Sequence, residues 1–85
     1  MSRKDKLLGH LLSKPAPRDF LWDDLVTLMR HFGYSEVATS GSRRKFADET
    51  GQHLFSIHKP HPGNELKVYQ VKEVIAALEE RGMIS

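Results

Sequence analysis

The stretch YSEVATSGSRRKFADETGQHLFSIHK, residues 34–59, decides the fold. Val37 and Thr39 alternate with Glu36 and Ala38, Ser40-Gly41-Ser42 makes a turn, and Phe46 lies late in a second extended run. Asp48, Glu49, Thr50 and Gly51 supply another turn, after which His53, Phe55 and Ile57 alternate with Leu54, Ser56 and His58. Alternation of period two, bounded by Gly, Ser and Asp turns, marks short half-buried strands. We read three antiparallel strands in a meander, at about 35–40, 43–48 and 53–58. Pro60 and Pro62 end the third, because proline has no N–H to give to a ladder.

On both sides of this core the period becomes helical. Trp22, Leu25, Val26, Met29 and Phe32 recur on one helix face, Asp23 and Asp24 suit its positive end, and Gly33 supplies the stop. Beyond the loop 61–65, Val68, Val71, Ile75 and Leu78 share a face of a last helix closed by Gly82, with Met83 and Ile84 expected to pack back on the core. Nearer the start, residues 4–13 carry Leu7, Leu8, Leu11 and Leu12 as the stripe of a short helix. Pro15 and Pro17 push their neighbours toward extended geometry, so residues 14–19 read as a stiff connector. The order α-α-β-β-β-α predicts an α+β fold in which helices cover one face of a three-stranded antiparallel sheet and leave the other open. We divide the chain into residues 1–20, the N-terminal leucine helix with its connector, and residues 21–85, the main domain.

A chain of 85 residues has room for one core. Its 39% hydrophobic content, with only 6 Gly and 4 Pro, excludes a wholly disordered protein. The absence of cysteine rules out disulfides, thiolate metal sites and cysteine nucleophiles, and fits a cytoplasmic location. The longest apolar run, the five residues from Val74 to Leu78, falls far short of the roughly 20 that span a bilayer, so no membrane association is expected. Leu7 to Leu12 holds a histidine and leads into Lys14-Pro15 rather than a small-residue cleavage site, so it does not read as a signal peptide.

A net charge of +2 says little about partners, but its distribution says more. Between Ser40 and Lys72 the basic residues Arg43, Arg44, Lys45, Lys59, Lys67 and Lys72 face only Asp48, Glu49 and Glu65 in the count, a local excess of +3. His53, His58 and His61 fall in the same window. An anionic partner belongs there, although ordinary solvated charges would produce the same count.

Two segments hold the chemistry: Gly41-Ser42-Arg43-Arg44-Lys45-Phe46, and His58-Lys59-Pro60-His61-Pro62-Gly63-Asn64-Glu65-Leu66-Lys67. Gly41 and Ser42 can turn backbone N–H groups outward, and the cations that follow suit phosphate oxygens. With Phe46 in the core, alternation sends Arg43 and Lys45 to the open face and Arg44 to the helix side. Phe55 and Ile57 claim the core face in the third strand, so Ser56 and His58 point the way of Arg43 and Lys45. An imidazole there can transfer protons near neutral pH. His61 sits between two prolines in a stiff loop. With no cysteine present and Pro60 between them, His58 and His61 do not make a metal-site spacing; no metal and no small-molecule cofactor are expected.

The succession of Phe32-Gly33-Tyr34 at a helix end, Gly41-Ser42 followed after three residues by Phe46, and His61-Pro62-Gly63 leading through Glu65-Leu66-Lys67 into the last helix resembles the HicA toxin family of bacterial toxin-antitoxin systems. The likeness covers about residues 21–82 and leaves the N-terminal leucine helix outside it. It implies a fold similar to the double-stranded RNA-binding domain, metal-independent endoribonuclease activity on mRNA, and a HicB antitoxin that masks the active surface. Carried onto this chain, RNA binding falls to Gly41, Ser42, Arg43, Arg44, Lys45, Lys59 and Lys67.

The family pattern places its catalytic histidine directly after Gly-Ser, where this chain has Arg43. A guanidinium stays protonated and cannot act as a general base, though it can bind phosphate and stabilise developing negative charge. If cleavage persists, His58 or His61 carries it. The alternatives are a catalytically silent RNA-binding module using the same surface, and an antitoxin-partner-binding protein.

Overall fold

The computed structural model describes residues 3–84. The elements run α1 (Arg3–Leu11), α2 (Trp22–His31), β1 (Ser35–Ala38), β2 (Arg43–Ala47), β3 (His53–His58) and α3 (Val68–Glu80). This is the expected α+β order. The strands form one antiparallel sheet in the order β1-β2-β3, so β2 is central. Strand 1 is shorter than alternation predicts because residues 39–42 are taken up by a tight turn, and strand 2 ends one residue early because Asp48 opens the next turn. There Thr39 N–H donates to the Arg43 carbonyl at 3.1 Å and Arg43 N–H to the Ser40 carbonyl at 3.0 Å. Gly41 sits at φ 57°, a conformation that side chains disfavour.

Pairing assigns the two faces. Glu36 faces Phe46, Phe46 faces Phe55, and Arg44 faces Ala38 and Ile57, all on the helix side. Phe46 is fully buried, with its ring 5.8 Å from Trp22 and 5.3 Å from Phe55. Around it gather Phe20, Leu25, Leu28, Met29, Leu66, Val71, Val74 and Leu78, all buried. α2 packs on β1 and α3 on β3, which leaves the opposite sheet face open. Met83 and Ile84 pack back on the core as expected.

The first helix spans Arg3–Leu11 rather than reaching residue 13, and it packs on α2. Leu7 and Leu11 enter the same core as the rest of the chain. Arg3 pairs with Asp24 at 3.3 Å and Lys4 lies 4.6 Å from the centre of the Phe32 ring, so charged ends pin the helix where its leucines bury.

α3 departs from its expected face. Val71, Val74 and Leu78 are buried, whereas Val68 and Ile75 are half-buried and turn toward the residue 12–18 connector. The core stripe therefore lies one residue away from the Val68/Ile75 line, since adjacent residues on a helix differ by about 100°. Two backbone bonds that alternation cannot signal bind the chain before α2 to the chain before α3. Trp22 N–H donates to the Asn64 carbonyl at 2.7 Å, and Leu66 N–H to the Phe20 carbonyl at 2.8 Å.

Candidate nucleic-acid interface

The open sheet face is built by β2 and β3. Arg43 and His58 are register partners, as are Lys45 and Ser56, and Val37 extends the second row onto β1 beside Lys45. Lys59 N–H donates to the Ser42 carbonyl at 2.8 Å, which makes Ser42 and Lys59 the hydrogen-bonded site and Arg43 and His58 the adjacent non-hydrogen-bonded one. Side chains at such a pair start about 4.5–5.5 Å apart at Cβ. A guanidinium and an imidazole thus leave the sheet side by side.

The imidazole is oriented from one end. Ser42 Oγ lies 3.3 Å from His58 Nδ1, and Nε2 has no hydrogen-bond partner among the described residues. His58 itself is exposed. The Arg43 guanidinium likewise makes no hydrogen bond or ion pair among the described residues, and neither does the half-buried Lys45 ammonium. Free cations beside a free imidazole nitrogen can hold a phosphate and exchange a proton with the groups around it.

Arg44 goes the other way. Its Nε pairs with Glu36 Oε2 at 3.2 Å, and its Nη1 donates to the carbonyls of Gly41 at 2.8 Å and Arg43 at 3.0 Å. It staples the glycine-serine turn from the helix side and is separated from Arg43 by the sheet. Lys59 follows β3 at the rim, and Lys67 stands just before α3, both exposed. His61 lies in the exposed loop beyond Pro60, without a hydrogen bond among the described residues. The structure therefore brings together Ser42, Arg43, Lys45 and His58, and leaves Arg44 and His61 outside that group.

One residue of this region escaped the sequence reading. Gln70, 4% exposed, donates from Nε2 to the His58 carbonyl at 2.9 Å and accepts the Lys67 N–H on Oε1 at 3.0 Å. One side chain thus joins the end of β3 to the start of α3. A glutamine three residues after a helix cap is a recognisable signal for the second bond, but nothing in the sequence points to the first. Among the described residues no group of three His, Asp or Glu side chains is placed to hold a metal ion.

The family model described as HicA toxin of bacterial toxin-antitoxin matches residues 22–83. The chain belongs to the HicA toxin family. The match begins at the first residue of α2, so the HicA core comprises α2, the sheet and α3, with α1 and its connector preceding it. Comparison with curated proteins and with solved structures found no match. In this HicA-family chain, the position after Gly41-Ser42 holds Arg43, and the nearest imidazole to it in the ladder is that of His58, directly across. No helix among the described residues is long and apolar enough to cross a membrane.

Proposed function

We propose that the open sheet face binds the backbone of mRNA and cleaves it without a metal, Arg43 and Lys45 holding phosphate oxygens and His58 moving the proton. The observation that carries this reading is the cross-strand pairing of Arg43 with His58. A phosphate gripped by the guanidinium lies within reach of the imidazole, because both side chains rise from adjacent points of one face. His58 Nε2 takes the proton of the ribose 2′-OH, the 2′-oxygen attacks phosphorus, and the bond from phosphorus to the 5′-oxygen breaks. The leaving 5′-oxygen takes its proton from water, since His61 lies outside the group that Arg43 and His58 form. Arg43 stabilises the charge that builds on the phosphoryl oxygens, the part a permanently charged side chain can play. Lys59 and Lys67 extend the cationic track at the rim, where phosphates on either side would run. Membership of a toxin-antitoxin family fits an antitoxin partner, and the same face, cationic and unprotected, is the one we assign to it.

The test is cleavage of labelled single- and double-stranded RNA in EDTA. The reading requires cleavage by the wild-type chain and its loss, by about 10²–10⁴-fold, in His58→Ala with binding retained. Binding by the wild-type chain without cleavage would replace it with a silent RNA-binding module. Neither cleavage nor salt-dependent binding would leave only the antitoxin-binding role.

A further inference from the structure

A second surface lies in the helix layer, outside the sheet. The connector after α1 and the outer stripe of α3 enclose an open groove of about 1070 Å³. Leu12, Pro15 and Ala16 form one wall, and Val68, Lys72, Ile75 and Glu79, at i, i+4, i+7 and i+11, form the other. Leu12 is 38% exposed, and Val68 and Ile75 are only half-buried, so α3 carries more apolar arc than the core uses. Lys14, Arg18 and Lys72 line the groove, make no ion pair among the described residues, and are opposed only by Glu79.

We propose that this groove docks an acidic amphipathic helix of a partner protein. Its floor accepts apolar anchors at helical spacing, and its three free cations match carboxylates on the flanks of the incoming helix. The described residues do not supply the occupant: α1 packs on α2, and Met83 and Ile84 are already on the core. The volume is at or above the roughly 300–1,000 Å³ of small-molecule pockets and is open along one side, which fits a helix turn or two better than a compact ligand. One wall comes from residues that precede the family match and the other from α3 within it, so the groove forms where the N-terminal segment lies beside the shared core. It does not depend on the RNA reading, because none of its residues lies on the open sheet face.

The test uses the full chain, labelled with ¹⁵N, and two synthetic helical peptides with leucine at i, i+3, i+4 and i+7. One has glutamate at its polar positions and the other lysine. The acidic peptide should shift the amides of Leu12, Lys72 and Ile75, and the basic peptide should not. The double variant Lys14→Glu/Lys72→Glu, both sites exposed, should keep the urea midpoint of the wild type while weakening the acidic peptide about tenfold or more. Equal response to both peptides, shifts confined to Arg43, Lys45 and His58, or no shift at millimolar peptide would overturn the proposal. So would binding of anionic phosphatidylglycerol vesicles in place of the acidic peptide.

Discussion

The side chain of Gln70, in the first turn of α3, donates from Nε2 to the backbone carbonyl of His58, the last residue of β3, at 2.9 Å. Since its Oε1 also accepts the Lys67 N–H, a single buried amide sets the distance between the imidazole-bearing strand end and the helix that packs on it. Gln70→Leu removes both bonds and leaves a part-buried carbonyl without its donor. It should lower stability by about 1–3 kcal/mol in urea unfolding. If the proposed role of His58 holds, RNA cleavage by the folded fraction should fall as well. An unchanged unfolding midpoint would show that the two bonds contribute nothing net.

Arg43 and Arg44 are adjacent in sequence and should behave oppositely. Arg43→Ala should leave stability nearly unchanged and reduce the slope of log K against log salt for RNA binding by about one unit. Arg44→Ala should leave that slope alone and loosen the turn, since it loses the pair with Glu36 and two bonds to turn carbonyls. A double-mutant cycle of Arg44→Ala with Glu36→Ala should return a coupling of about 0.5–1 kcal/mol for this half-exposed pair.

α1 is built into the core, so trimming it should be costly. Leu11 is fully buried, and Leu11→Ala should destabilise the whole domain by about 2–5 kcal/mol. The exposed neighbour Leu12→Ala should cost less than about 1 kcal/mol. Urea unfolding followed by Trp22 fluorescence separates the two, because that indole sits in the same core.

Asp48 gives the β2–β3 turn a pH dependence. Its Oδ1 accepts the Thr50 hydroxyl at 2.6 Å and the N–H groups of Thr50 and Gln52 at 2.9 and 3.1 Å. Chiefly through the Thr50 hydroxyl, these bonds hold the carboxyl below its ordinary value of 3.8. Because the folded value is lowered, the stabilisation is fully present above 3.8 and is lost as pH falls through the lower folded value. Wild type should therefore unfold at higher urea than Asp48→Asn at pH 6, and the two midpoints should converge as the pH drops below the carboxylate range. A gap that stayed constant with pH would assign the difference to something other than the charge on Asp48.

Alternation in residues 34–59 placed all three strands and sorted the side chains of β2 and β3 correctly, Phe46, Phe55 and Ile57 inward and Arg43, Lys45, Ser56 and His58 outward, but it did not show that Val37 of β1 lies on the open face. Strand periodicity can do this because a pleated backbone sends neighbours to opposite faces whatever they later touch. The register was not legible to the same degree. That Arg43 meets His58, rather than sliding past it by two residues, depends on the lengths of the 48–52 turn and of the irregularity between Phe46 and Ala47. Helical periodicity found α3 but chose Val68 and Ile75 over Val74 for its core, since a helix apolar over a wide arc does not say which part of the arc faces the sheet.

From local chemistry alone, then, came the order of elements, the open sheet face, the cations and imidazole on it, and the resemblance to the family that the chain proves to belong to. Those properties depend on residue type and near-neighbour spacing, which a linear chain displays. Only the folded molecule decided that Arg44 turns inward to Glu36, that Gln70 holds the His58 carbonyl, that α1 joins the core, and that the connector and α3 enclose a groove. Each of these joins atoms from separate elements or opposite ends of a turn, and such meetings follow from how the layers pack rather than from any pattern within one segment.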